Sequence, residues 1–351
     1  MRESGSPWYA ARAPAKVNLV LRVLGKRADG YHELETIFHA LALSDLLLGQ
    51  RTAEGFALSV QSRCATGLAV PDSQDNLVLR AARAFHAATG IAGGARFVLR
   101  KRIPAGGGLG GGSSDAASAL LILQAIHGRP LAEPQLTALA ATLGADVPFF
   151  LKAGTQLGAG IGDQLTPLPD FQRLELLLIL PPFGTSTAAV YKNCAAELTM
   201  ATEACRNPTS KVPVPKALAV PDDLVNDLEA PAFALHHELR ELWAVVARVD
   251  AGVRMSGSGS TLFLARTFTR AVELDLAQRQ LAHLQDHGVV LLRTRSQPQA
   301  TPLAVSEAEL PRRAAVPRAR PRVVHGFRGA SATSEGWDKI WAKAQEPPNH
   351  A

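Results

Sequence analysis

The chain has 351 residues, 47% of them hydrophobic and 19% charged, with a formal net charge of +6. That length accommodates two ordinary domains with their own cores, and no uninterrupted apolar stretch approaches the ~18 residues of a membrane span. Three cysteines, Cys64, Cys194 and Cys205, lack C-x-x-C spacing, which argues against a disulfide framework or a zinc site and for a reducing, cytoplasmic compartment. No apolar signal region opens the sequence, and structured sequence is expected from about Pro14, too early for a transit peptide. Six arginines and no acid between Arg312 and Arg328 carry much of the excess charge. The body of the chain therefore offers no argument for a nucleic-acid or membrane partner.

Ala15–Leu24 alternates, with Val17, Leu19, Leu21 and Val23 on one side and Lys16, Asn18, Val20 and Arg22 on the other, which predicts a half-buried strand. Its period of two sets Lys16 and Asn18 next to each other on one face. Asp29-Gly30 predicts a turn, followed by Tyr31-His32 and the apolar segment Leu34–Leu48. Asn76–Ala88 has helical spacing and stops at Gly90, and Glu133–Leu143 has Pro134 near its start and Gly144 as its stop. Asp146 comes two residues after that stop and directly before Val147-Pro148, on a short constrained turn. A composition break at Leu165–Gln172 divides the chain into 1–168 and 169–300. The basic stretch 301–351 is expected to be a disordered tail. In the second part, Leu174–Leu180 reads as a buried strand, Asn193–Pro221 as a surface excursion and Thr261–Ala265 as a strand. Ala271–Leu284 reads as a helix and Val289–Arg295 as the closing strand. Trp337 and Trp341, four apart in the tail, could share one face of a short helix.

The run Ile103-Pro104-Ala105-Gly106-Gly107-Gly108-Leu109-Gly110-Gly111-Gly112-Ser113-Ser114 carries the chemistry. It lies between a strand-like Arg96–Arg102 and a helix-like Asp115–Ile126. Glycine lets backbone N–H groups converge on a ligand, and a helix N-terminus behind them adds unpaired donors and a positive dipole end. The run predicts a phosphate cradle, although its spacing is neither the Walker P-loop nor a clean dinucleotide fingerprint.

Three segments together resemble the GHMP small-molecule kinase superfamily of galactokinase, homoserine kinase, mevalonate kinase and phosphomevalonate kinase. They are Pro14-Ala15-Lys16-Val17-Asn18-Leu19, Pro104 through Ser114, and Met255-Ser256-Gly257-Ser258-Gly259-Ser260. Within it, Gly25-Lys26-Arg27-Ala28-Asp29-Gly30-Tyr31-His32-Glu33-Leu34, Thr142-Leu143-Gly144-Ala145-Asp146-Val147-Pro148 and the doubled glycine triplet resemble the 4-diphosphocytidyl-2-C-methyl-D-erythritol kinase family. The resemblance spans roughly residues 13–295. It implies an α+β, two-domain fold, with the active site in a cleft between an N-terminal ATP-binding domain and a C-terminal ferredoxin-like substrate domain. It also implies ATP-dependent phosphorylation of the 2-hydroxyl of 4-diphosphocytidyl-2-C-methyl-D-erythritol, a step of the non-mevalonate isoprenoid pathway.

Carried onto this sequence, the resemblance makes Asp146 the base that takes the proton of the attacking hydroxyl. Lys16 would be its cationic partner and a stabiliser of phosphoryl charge. Asn18 would bind the polyol. Tyr31, His32 and Phe38 would hold the cytidine end, with Tyr191 stacking on cytosine beside Lys192 and Thr187 touching the same base. Pro104 to Ser114 would wrap the triphosphate, with Lys101 and Asn76 as further nucleotide contacts. Asp115, on the first helical turn, is expected to point away from phosphate. Mg²⁺ is expected to arrive on ATP, held largely by phosphates and water without a dedicated protein ligand, with Ser114 offering its hydroxyl. Two alternatives stand beside this reading: another GHMP kinase of the homoserine or mevalonate type, or a relative that binds nucleotide without transferring phosphate. The Tyr31-His32 pair argues against the first, since those acceptors carry no base, and the retention of both Lys16 and Asp146 argues against the second.

Overall fold

The computed structural model describes residues 6–62, 64, 74–168, 171–200, 220, 222–297 and 303–305, and the chain up to Val305 forms one compact unit. Two antiparallel strands of unusual length dominate it, β1 (Trp8–Lys26) and β2 (His32–Thr52), paired along nearly their whole course. With β3 (Phe56–Ser62) and β4 (Gly94–Lys101) they build a sheet that also takes in β5 (Thr155–Ala159), β6 (Gln164–Pro167) and β8 (Val225–Asn226). Its order along the main path is β12-β1-β2-β4-β3, where β12 (Leu303–Val305) pairs with Trp8–Ala10. The start of the supposed tail is thus a strand, because the exposed edge of β1 offers it a hydrogen-bonding partner. Trp337 and Trp341 lie outside the described residues.

One face of this sheet carries α1 (Leu77–Thr89), α2 (Gly111–Ile126), α3 (Glu133–Ala141) and α4 (Val147–Lys152). Phe85, Leu120, Ile122 and Leu123 from the helices meet Leu47, Phe97 and Leu99 from the strands in a common core. Asn76 caps α1, its side-chain oxygen accepting from Val78 N, and Gly90, the stop that the sequence predicts, closes the helix at φ 66°. Helix α2 begins at Gly111, four residues earlier than expected, so part of the glycine run is helix rather than loop.

The second sheet has the order β11-β7-β10-β9, from β7 (Leu174–Leu180), β9 (Arg254–Met255), β10 (Leu262–Thr267) and β11 (Val290–Arg295). All neighbours are antiparallel. The connections pass through α5 (Thr187–Met200), α6 (Glu229–Leu235) and α7 (His237–Val249), then α8 (Ala271–Gln280), which yields the split βαβ pattern of a ferredoxin-like layer. The chain crosses from the large to the small sheet between Pro167 and Leu174, across the composition break. Helix α5 runs through Asn193, where a surface excursion was expected; most of 193–221 lies outside the described residues.

Strand β1 is buried continuously from Ala13 to Leu21, not half-buried. Ala15, Val17 and Leu19 pack with Leu176, Leu178 and Phe263 of the small sheet, so the two sheets share a core through this strand. Register shifts at Pro14/Lys16 and Asn18/Val20 mark bulges. The second one breaks the alternation: Val20 joins the Leu19 cluster, and Leu21 and Val23 pack with Leu177 and Leu239 instead. Lys16 and Asn18 keep their shared face, turned toward a cleft.

Candidate active site

A cleft of about 880 Å³ runs from the glycine run to Tyr31, with Lys16 and Asp146 among the residues of its wall. Lys16, 5% exposed at its side chain, donates from Nζ to Asn18 Oδ1 at 2.7 Å and stands 3.5 Å from Asp146 Oδ2. The two charges come from distant elements, β1 and the residue that starts α4. Asn18 is fixed in turn: its Nδ2 donates to Thr36 Oγ1 at 2.8 Å, and that hydroxyl donates to the Val20 carbonyl at 2.7 Å. With the carboxamide oxygen occupied by Lys16, the ammonium has one preferred position. The Phe38 ring, 5.7 Å from Nζ, closes its remaining side.

The glycine cradle is built against this pair. Lys16 N donates to the Leu109 carbonyl, Thr261 N to that of Gly107 and Thr185 N to that of Gly106, while Ser256 Oγ donates to that of Gly108. A planar peptide points its N–H opposite its C=O. Anchoring these carbonyls in the protein therefore turns the N–H side of the loop toward the cleft, where the N-terminus of α2 adds its own donors. Gly108 sits at φ +73°, where a Cβ would stand 2.1 Å from the Ser256 carbonyl oxygen; at Gly110, φ +68°, it would strike Phe150 at 2.8 Å. Pro104 to Ser113 line the cleft throughout.

At the opposite end, the rings of His32 and Tyr191 lie 5.3 Å apart and tilted by 32°, with Tyr31 exposed at the rim. His32 is buried, its Nε2 has no hydrogen-bond partner among the described residues, and burial, helped by the charge of Lys26, lowers its pKa. A neutral imidazole with a spare nitrogen facing a cleft suits the edge of a heterocycle. Burial raises the Tyr191 phenol well above its usual range, and the charge of Asp146 adds to the effect, so aromatic subsite and carboxylate belong to one electrostatic environment. Thr187 Oγ1 and Ser258 Oγ share a hydrogen bond at 2.9 Å at the start of α5, and Lys192 lines the same wall.

A glycine cradle, a Lys–Asp pair and an aromatic cluster in one cleft narrow the choice of relatives. The GHMP kinases N terminal domain family matches residues 76–154, which carry the cradle and Asp146. The 4-diphosphocytidyl-2-C-methyl-D-erythritol kinase of Parvibaculum lavamentivorans is 43% identical over 270 residues, covering 74% of this chain and 89% of the relative. The chain belongs to the 4-diphosphocytidyl-2-C-methyl-D-erythritol kinases. The corresponding kinase of Syntrophus aciditrophicus is 39% identical over 72% of this chain and 87% of its own length. A crystal structure of a 4-(cytidine 5'-diphospho)-2C-methyl-D-erythritol kinase superposes with a TM-score of 0.62 at 35% identity, covering 82% of this chain and 99% of the other. Homoserine kinase from Cytophaga hutchinsonii, at 17% identity and a TM-score of 0.58, shares the fold.

Three of the residues expected at the nucleotide stand elsewhere in this kinase. Lys101 is 2% exposed and points beneath Gly111, ion-paired to Asp45 and, at 2.9 Å, to Asp115. Two buried carboxylates hold it better than a solvated phosphate could. Asp115 does point away from the cradle, and burial raises its carboxyl above the usual range while Lys101 pulls it back down. Asn76 is not in the cleft wall and gives its side-chain oxygen to the α1 cap. Ser114 is fully buried under the loop because α2 begins early enough to turn it inward. Conversely, Thr36 lines the cleft and orients Asn18. Nothing in its local sequence marks it; only the β1–β2 register, Leu21 opposite Thr36, brings it there.

Proposed function

We propose that the chain transfers the terminal phosphoryl group of ATP to the 2-hydroxyl of 4-diphosphocytidyl-2-C-methyl-D-erythritol, releasing ADP and the 2-phosphate, within the non-mevalonate route to isoprenoid precursors. The observation that carries the reading is the Lys16–Asp146 pair, 3.5 Å apart, between a glycine cradle and an aromatic subsite in one cleft. Asp146 accepts the hydroxyl proton as the oxygen attacks phosphorus. Lys16 neutralises charge on the transferring oxygens. Asn18 orients the polyol through its amide while its oxygen holds Lys16. The cradle N–H groups from Ala105 to Ser113 bind phosphate, with Pro104 fixing the entry of the loop. Tyr191 stacks on cytosine, His32 reads its edge, Tyr31, Thr187 and Lys192 complete the subsite, and the base sets the distance between cradle and hydroxyl; Phe38, expected at the cytidine end, instead packs against Lys16 and Phe149 in the core.

The described residues include no cluster of three His, Cys, Asp or Glu able to hold a metal ion, and the Ser114 hydroxyl is buried under the loop. We assign Mg²⁺ to the phosphates of ATP, arriving with the nucleotide. We further assign 1–168 and 169–300 as the two domains. Cytoplasmic residence is consistent with the free thiols Cys64 and Cys194; no helix among the described residues is long and apolar enough to cross a membrane.

The test is ADP release with the cytidyl-linked erythritol, homoserine and mevalonate as acceptors. Turnover of the first alone is expected. Turnover of homoserine or mevalonate in its place overturns the substrate, and ATP binding without transfer to any of them overturns the kinase reading.

A further inference from the structure

The short segment Val225–Glu229 takes no part in the cleft wall, yet its polar groups are spent on the elements that form it. Asn226, 6% exposed, donates from Nδ2 to two backbone carbonyls at once, Met255 O at 2.7 Å and Gly257 O at 2.8 Å, while its Oδ1 accepts from Leu228 N at 2.9 Å. Asp227 accepts from Val23 N through Oδ2 and donates its own N–H to Leu21 O, both at 2.9 Å. Glu229 accepts from Met255 N at 2.7 Å. Val225 and Asn226 add a parallel pairing with Val20 and Leu21. One side of the segment is thus fastened to β1, the strand that presents Lys16 and Asn18, and the other to the loop that begins at Met255.

That loop is the back support of the cradle. Ser256 and Thr261 hold the carbonyls of Gly108 and Gly107. Gly257 approaches so closely that a Cβ there would lie 3.2 Å from Lys16 Nζ and 3.4 Å from Asn18 Oδ1. Lys16 N closes the circuit by donating to Leu109 O. A ring of hydrogen bonds therefore runs from β1 to the cradle, from the cradle to the 256–261 loop, and back to β1 through Asn226 and Asp227.

We infer that Asn226 is a positioning residue for phosphoryl transfer: by tethering the Met255 and Gly257 carbonyls to β1, it sets the distance between the phosphate cradle and Lys16. Its side chain lines no part of the cleft. The inference rests on the kinase reading above. An isolated structural hydrogen bond would affect folding in general, whereas this one joins the two parts whose separation determines in-line attack, and a displacement of about 1 Å at such a point costs on the order of a hundredfold in rate.

The experiment compares Asn226→Asp, Asn226→Ala and Leu242→Ala with the parent enzyme. Asn226→Asp keeps the shape but faces both carbonyls with an acceptor; Asn226→Ala removes the donors without adding charge. Leu242, buried in the core behind the small sheet, reports destabilisation alone. The measurements are kcat and both KM values for ADP release, the melting temperature, and crystal structures of parent and Asn226→Asp. The expected result is a roughly 30- to 100-fold loss of kcat for Asn226→Asp and about tenfold for Asn226→Ala, with both KM values within about threefold. Gly257 should be displaced by about 1 Å, and Leu242→Ala should keep its kcat at a comparable loss of melting temperature. The inference is overturned if the Asn226 variants retain kcat with Gly257 in place, if their losses merely match Leu242→Ala, or if neither variant folds, which would make Asn226 a general structural residue. A parent enzyme inactive on the cytidyl substrate would instead count against the kinase reading, and the position of Gly257 would still decide the tether.

Discussion

Replacing Lys16 by Met separates what the charge does for the fold from what it does for the reaction. Its Nζ lies 3.5 Å from Asp146 Oδ2, with side-chain exposures of 5% and 33%. At an effective dielectric constant of about 20, unit charges about 4 Å apart attract by about 4 kcal/mol. Desolvation of the buried ammonium offsets much of this, and water still reaches the carboxylate, so the net contribution to stability is about 1 kcal/mol. Methionine fills the same space against Phe38 without a charge to desolvate, and the melting temperature should move by no more than about 2–4 °C. The rate should respond far more strongly. Removing one preorganised electrostatic donor to a developing oxyanion costs about 10²–10³ in kcat, or about 2.7–4 kcal/mol. Asp146→Asn should lose a similar or larger factor, about 10²–10⁴, with the general base gone. Because the two act on one proton and one phosphoryl group, the double variant should fall within about tenfold of the worse single variant instead of showing the product of both losses. Coupled ADP-release kinetics together with thermal unfolding measure all three. A Lys16→Met enzyme with kcat within tenfold of the parent at an unchanged melting temperature, or strictly multiplicative losses, would refute the pair as a catalytic unit.

Tyr191→Ala should raise KM for the cytidyl substrate by about 10- to 100-fold, the worth of one base–aromatic stack, while Tyr191→Phe stays near the parent; steady-state kinetics with both variants check this. Gly108→Ala should abolish detectable ATP binding in calorimetry while the rest of the fold persists, since its Cβ would meet the Ser256 carbonyl at 2.1 Å and force the cradle apart. His39, buried between Thr155 Oγ1 and Ser296 Oγ, is held down to a pKa of about 4 by desolvation. The unfolded chain therefore binds the extra proton between about pH 6.5 and 4, and stability should fall through that window by up to about 3 kcal/mol. His39→Gln should flatten that slope in denaturant titrations at pH 4.5 and 7.

Local chemistry is legible in the order of the amino acids. The glycine run and the helix behind it predict a phosphate cradle, because glycine and a helix start are chain-local properties. Asn76 and Gly90 mark the ends of α1 for the same reason. The alternation of β1 was legible enough to place Lys16 and Asn18 on one face. What it could not contain was anything set by register or by the meeting of remote segments. The bulge at Asn18–Val20 moves Val20 into the core, and Thr36 reaches Asn18 only because β2 pairs with β1 as it does. Lys101 looks like a phosphate ligand beside the loop until the fold supplies Asp45 and Asp115 beneath it. Asn226 and Met255 carry no mutual signal in the chain, and only packing makes them neighbours. Side-chain type and short-range spacing determine what a segment can do, whereas long-range packing decides which groups lose water together, and with that which charges act on substrate and which hold the scaffold.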